Sequence, residues 1–141
     1  MYYLKTSADF DSAHFLAGYD GKCANIHGHR WKLEVQVYGI KLKPDGSEKG
    51  MLIDFGELKS SVRSLAEGFD HSLIYEKGTL KPATLRAFDD EGFRTIPVPF
   101  RPTAENFAKY FYELLSAQEL PVRSVTVYET PDNCAVYEEE K

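Results

Sequence analysis

Cysteine, histidine and long apolar runs are all scarce in this chain, and each scarcity excludes something. Two cysteines in 141 residues are too few to staple a small fold, so Cys23 and Cys134 read as free thiols. No apolar run approaches the ~20 residues that a helical membrane span needs. The opening residues, Met1-Tyr2-Tyr3-Leu4-Lys5-Thr6, lack the apolar segment of a signal peptide, which makes a cytoplasmic address the expectation. Positive charge is in deficit: 17 Lys and Arg stand against 22 Asp and Glu, a net charge of −5. A general affinity for nucleic acid is therefore not expected, because phosphates reward a basic surface. There is no glycine-rich dinucleotide fingerprint, no internal repeat and no low-complexity tract.

What is present suits one compact domain spanning 1–141. The segment from Tyr2 to Ser12 is rich in β-formers, and its even positions, continued to His14, would share a sheet face. From Arg30 to Tyr38 the alternation is clearer. Trp31, Leu33, Val35 and Val37 point one way and Lys32, Glu34 and Gln36 the other, the pattern of a half-buried antiparallel strand. Lys43-Pro44-Asp45-Gly46 marks a turn, and Gly50 to Ile53 reads as a short return strand. Asp54 reads as a helix N-cap with Glu57 three residues on; Phe55, Leu58, Val62, Leu65 and Phe69 then fall on one helical face.

Residues 74–100 read as a long loop with a short helix around Thr84 to Asp89. A second main helix opens at Thr103 with Phe107, Tyr110, Phe111, Leu114 and Leu115 as its stripe. Strands follow over Arg123 to Glu129 and Cys134 to Tyr137. The order ββααββ predicts an α+β fold, a four-stranded antiparallel sheet with two helices on one face. Its edge strands would need covering, and other copies of the chain can supply that cover.

Three of the four histidines lie near the start of the chain. Counting back by twos from Trp31 puts His29 and His27 on the apolar face of the strand. His14 ends the first strand on its even face, so hairpin pairing can bring it alongside. Three neutral imidazoles with an open position form a catalytic zinc arrangement. The plainer reading is hydrogen-bonded core histidines, and a lone His-x-His pair would not exceed it.

Cys23, four residues before His27, has three readings: a fourth ligand that closes a structural zinc site, a thiol beside a catalytic metal, or a small buried hydrophobe. Asp70-His71 has the chemistry of a carboxylate-oriented proton relay, or of a histidine at a helix C-terminus. Glu129 follows Val125 and Val127 on their inward parity, where a carboxylate needs a partner.

Taken together, Phe10-Asp11-Ser12-Ala13-His14, Cys23 with His27-Gly28-His29, Ile53-Asp54-Phe55-Gly56-Glu57-Leu58-Lys59, Phe69-Asp70-His71, Pro102-Thr103-Ala104-Glu105-Asn106 and Tyr128-Glu129-Thr130 resemble the 6-pyruvoyl-tetrahydropterin synthase family. The nearer resemblance is to its bacterial branch, the 6-carboxy-tetrahydropterin synthases of queuosine biosynthesis. It runs along nearly the whole chain.

The resemblance implies a tunnelling fold, assembly as trimers or hexamers, and active sites between subunits. It implies zinc on His14, His27 and His29, a proton-transferring thiol at Cys23, and a relay at Asp70 and His71. It implies a pterin-anchoring carboxylate at Glu129, with Thr103 and Glu105 near the pterin pocket. Thr103 and Glu105 also fit helix capping and first-turn charge. The implied substrate is 7,8-dihydroneopterin triphosphate, a small molecule, and the redox change is internal to it.

Two departures from the family stand out. The stretch Leu80 to Phe100 is longer than in compact relatives, and Arg101 replaces a more usual Asn before Pro102. Arg101, with Lys22 or Arg30, is expected to contact the triphosphate. The competing expectations are 6-pyruvoyl synthase activity, a non-catalytic zinc module with Cys23 as fourth ligand, and a metal-assisted hydrolase on the same histidines.

Overall fold

The computed structural model describes residues 1–140. Two long strands dominate it, β1 (Tyr2–His14) and β2 (His27–Gly39). They pair antiparallel along their whole length, from Tyr2 opposite Gly39 to His14 opposite His27. Side chains alternate across a strand. The register therefore stacks Phe10, Ser12 and His14 on β1 with Trp31, His29 and His27 on β2, all on one face. Trp31, Leu33, Val35 and Val37 are completely buried on that face, as their alternation predicts.

The strand β5 (Val122–Tyr128) extends the antiparallel sheet beside β2, and β6 (Cys134–Tyr137) lies beyond it. Two helices cover the apolar face. Helix α1 (Phe55–Glu67) starts at Asp54, whose carboxylate accepts from Gly56 N and Glu57 N, an N-cap that satisfies orphan donors of the first turn. It buries Leu58, Val62 and Ala66. Helix α3 (Ala104–Ser116) starts at Thr103, whose hydroxyl accepts from Asn106 N, and buries Phe107, Phe111 and Leu115. Phe10, Trp31, Phe69, Phe107 and Phe111 pack ring against ring between sheet and helices. This is the α+β arrangement expected from the order of elements, and it fits the tunnelling fold that the family resemblance implies.

The finer expectation of four strands and two helices is exceeded. Between α1 and α3 the chain forms β3 (Ser72–Glu76), α2 (Pro82–Glu91) and β4 (Thr95–Val98). The strands β3 and β4 pair parallel with each other, and β3 with β1, so the sheet runs β4-β3-β1-β2-β5-β6 and is mixed. The short helix read around Thr84 to Asp89 lies within α2. Pro82 occupies its first turn and Gly92, at φ 82°, closes it in the left-handed conformation that glycine adopts without penalty. Pro97 sits in β4 at the sheet edge, where a missing donor is tolerated.

Two smaller expectations fail. Gly50 to Ile53 is not a strand; Gly50 N donates back to Lys43 O and Lys43 N to Met51 O, closing a loop. Phe55 belongs to the first turn of α1 but is exposed, because the buried face of α1 begins at Leu58.

The burial pattern sets an expectation for stability. Leu33→Ala, at 0% exposure, is expected to cost about 2–5 kcal/mol in urea denaturation. Phe55→Ala should stay within about 0.5 kcal/mol of the parent. Similar losses for the two would contradict the packing described.

Candidate active site

The inward face of the β1–β2 ladder changes character at its end. Beyond Phe10 and Trp31 the next inward positions are Ser12 with His29, then His14 with His27. Trp31 forms the floor, its ring 4.9 Å from that of His14 and 5.4 Å from that of His29. Its indole N–H donates to Ser12 O at 3.2 Å, which ties floor to strand.

Two backbone carbonyls set the tautomers of the rings. His14 Nδ1 lies 2.7 Å from Pro102 O, and His27 Nδ1 lies 2.7 Å from Asn25 O. A carbonyl only accepts, so each Nδ1 carries the proton and each Nε2 presents a lone pair. Those two Nε2 atoms are 3.1 Å apart. Two lone pairs face each other at that distance only if a cation or a proton sits between them.

His29 Nε2 is buried and has no hydrogen-bond partner. Glu129 Oε1 is 3.1 Å away, an ion-pair distance but outside hydrogen-bonding alignment. One donor atom from each of His14, His27, His29 and Glu129 falls within 4.8 Å of all the others. Nitrogen atoms bound to one tetrahedral zinc at about 2.0–2.1 Å stand roughly 3.3 Å apart, close to what the facing rings adopt. The residues present therefore fit a metal ion.

Burial among the rings holds the His14 pKa down to about 4, against the upward pull of the Pro102 carbonyl and with a further downward push from His27 and His29. Burial also lowers that of His29, although Glu129 pulls it up. Both rings are thus neutral at physiological pH, the state that coordinates a metal.

Cys23 sits in a single 3-10 turn, Lys22–Ala24, half-buried and unpaired. Its carbonyl accepts from Leu16 N at 2.9 Å, closing the loop between β1 and β2. Its sulfur is not in the four-residue group, whose fourth member is Glu129. Sequence parity places Glu129 facing inward; that it meets His29 there follows only from the fold.

Asp70 and His71 occupy the turn between α1 and β3. His71 Nδ1–H donates to Asp70 Oδ2 at 2.7 Å, and Asp70 Oδ1 accepts from Asp11 N at 2.8 Å. The Asp11 amide, then His71, hold the Asp70 carboxyl below its usual range, so it is an anion that orients the imidazole. His71 lines a cavity of about 630 Å³ together with His29, Arg30, Phe88, Phe93 and Arg94.

Thr103 caps α3, as its alternative reading has it, and Glu105 lies in the first turn. Glu105 shares a second cavity with Glu129 and Asn133. Arg101 Nη2 donates to Ala17 O at 2.8 Å, and its guanidinium lies over the Tyr19 ring. Arg30 is paired with Asp9 and Asp11. The Pro102 and Asn25 carbonyls are functional groups that no residue type announces.

Comparison with known proteins identifies the family of the chain. The profile of the family described as 6-pyruvoyl tetrahydropterin synthase matches residues 3–140. The chain is 37% identical over 142 residues to a 6-carboxy-5,6,7,8-tetrahydropterin synthase of Haemophilus influenzae, covering 99% of this chain and 100% of that one. It is 35% identical to the enzyme of that name from Aquifex aeolicus, covering 84% and 77%. Among solved structures, a protein from Wolinella succinogenes superposes with a TM-score of 0.81 at 24% identity, covering 99% and 98%. The 6-pyruvoyl tetrahydropterin synthase of Caenorhabditis elegans does so with 0.69 at 23%, covering 99% and 96%. The chain belongs to the 6-pyruvoyl tetrahydropterin synthase family.

A metal that binds only the folded state stabilises it by mass action. Zinc at about 100 times its Kd is expected to add roughly 2.7 kcal/mol to the parent, read as a rise in Tm. His29→Ala should abolish the rise and His71→Ala should keep it. An unmoved parent Tm would contradict metal binding at these rings.

Proposed function

We propose that this family member is a zinc-dependent lyase. It converts 7,8-dihydroneopterin triphosphate to 6-carboxy-5,6,7,8-tetrahydropterin, acetaldehyde and triphosphate, a reaction of queuosine biosynthesis. The observation that carries the reading is the convergence of His14, His27 and His29 on one point, with two tautomers set by backbone carbonyls. The name borne by the Haemophilus influenzae relative, whose whole length the chain covers, supports the 6-carboxy product.

His14, His27 and His29 would hold the ion. When bound, the ion supplies a Lewis acid for the hydroxyls of the substrate side chain. Cys23 is the group that takes and returns a proton on the side-chain carbons, and a half-buried free thiol in the loop between β1 and β2 suits that role. His71 exchanges protons through Nε2, since Nδ1 is committed to Asp70. The Asp70 anion stabilises the imidazolium as it forms. Glu129 accepts from the pterin ring N–H groups, with Thr103 and Glu105 at the margin of that pocket. Protons thus move between side chain and ring, so no external redox cofactor is required.

The same reading carries an assembly of several copies, trimer or hexamer. The edge strands β4 and β6 are open, and Met1, Tyr2, Tyr3, Met51 and Phe55 are exposed. Both features suit contact with further copies. Neighbouring subunits would then complete each site, including the relay.

Purified protein incubated with 7,8-dihydroneopterin triphosphate is expected to release acetaldehyde and a 6-carboxy pterin, identified by mass. A retained pyruvoyl side chain would instead assign 6-pyruvoyl synthase activity. Cys23→Ala should keep zinc and lose turnover; loss of zinc with unfolding would make the sulfur a structural ligand.

For the triphosphate, Arg101 uses one donor on Ala17 O and keeps the rest of its five-donor fork for phosphate oxygens. Arg101→Ala is expected to raise KM, and an unchanged KM would remove Arg101 from the substrate site.

A further inference from the structure

Arg94 immediately precedes β4 (Thr95–Val98), between it and α2. Its Nη1 donates to Asp70 O at 2.7 Å and its Nη2 to Gly68 O at 2.5 Å. Its own carbonyl accepts from Leu73 N at 3.0 Å, so the backbone that carries the fork is itself fixed. Both carbonyls belong to the chain leaving α1, whose last turn contains no basic residue of its own. Arg94 supplies the cation that a helix C-terminus favours.

The turn gripped in this way is strained. His71 has φ 53°, a left-handed conformation that a non-glycine residue keeps only when its surroundings impose it. The surroundings act from two sides. On one side β1 exchanges two bonds with the turn: His71 N donates to Asp11 O at 2.6 Å, and Asp11 N donates to Asp70 Oδ1 at 2.8 Å. On the other side the Arg94 fork holds the carbonyls of residues 68 and 70. Between the two grips the His71 ring can face the cavity that Arg94 also lines.

We propose that Arg94 is a positioning residue for the Asp70–His71 pair: it holds the strained turn so that His71 Nε2 faces the cavity. The inference rests on the proton-relay reading of that pair. It also gives the β3–α2–β4 segment a task in the site, because β4 exists to present Arg94 only if it pairs with β3. Guanidinium geometry matters here, since a lysine ammonium is a point donor and cannot hold two carbonyls as a planar fork does.

The test uses the full-length, zinc-loaded protein with Arg94→Ala and Arg94→Lys, and Arg86→Ala in α2 as a control. Nitrogen-15 NMR of the His71 ring reads the tautomer directly. The parent and the Arg86 variant are expected to show the Nδ1-protonated form, and both Arg94 variants a mixture of the two tautomers. Zinc content should be unchanged in all. In turnover, misplacing the relay should lower kcat by about 10- to 100-fold and leave KM within about twofold. A His71 signal identical to the parent in both Arg94 variants, or a lowered Tm with kcat unchanged, would overturn the proposal. If the parent itself fails to turn over the pterin triphosphate, the functional reading falls while the NMR result still decides whether Arg94 sets the ring.

Discussion

Everything at the site depends on the register between β1 and β2. Opposing His14 with His27 and Ser12 with His29 places three imidazoles on the face that also carries Phe10 and Trp31. A slip of one residue would turn one strand over, exposing its apolar set and separating the rings. The aromatic core prevents that slip. Trp31, Leu33, Val35 and Val37 are wholly buried, and none could reach the outer face without losing its packing. The interactions that fold the protein are therefore the same ones that assemble the rings.

The rings extend the core rather than interrupt it. His14 is as buried as the hydrophobic residues around it, and a buried polar side chain is tolerable only when its polar atoms are satisfied. Its Nδ1 is satisfied by Pro102 O; its Nε2 faces that of His27. His29 Nε2 lacks any hydrogen-bond partner. Ring nitrogens that face one another or lack a hydrogen-bond partner, gathered at one point, suit the coordination sphere of an ion. The helix α3 takes part from a distance, because its entry through Pro102 and Thr103 delivers the carbonyl that sets the tautomer of His14.

Much of this was legible in the sequence. Period-two alternation located β2, and counting along it put His27 and His29 on the inner face. Asp54 and Thr103 marked helix starts that both became N-caps. Illegible features were of three kinds. The strands β3 and β4 are short, and β4 contains a proline; their pairing is parallel and set across a helix, so local sequence carries little trace of it. Phe55 fits the helical stripe but precedes the buried turn. The carbonyls of Asn25 and Pro102, and the carbonyls that Arg94 grips, are backbone groups, identical in every residue. Only the folded path of the chain gives them a role.

The central claim is that three imidazole nitrogens hold one ion while a position stays open to substrate. Zinc-edge X-ray absorption on the purified, zinc-loaded protein tests this most directly. The account predicts a shell of three histidine nitrogens at about 2.0–2.1 Å completed by oxygen alone. A sulfur scatterer at about 2.3 Å, or fewer than three imidazoles in the shell, would contradict it.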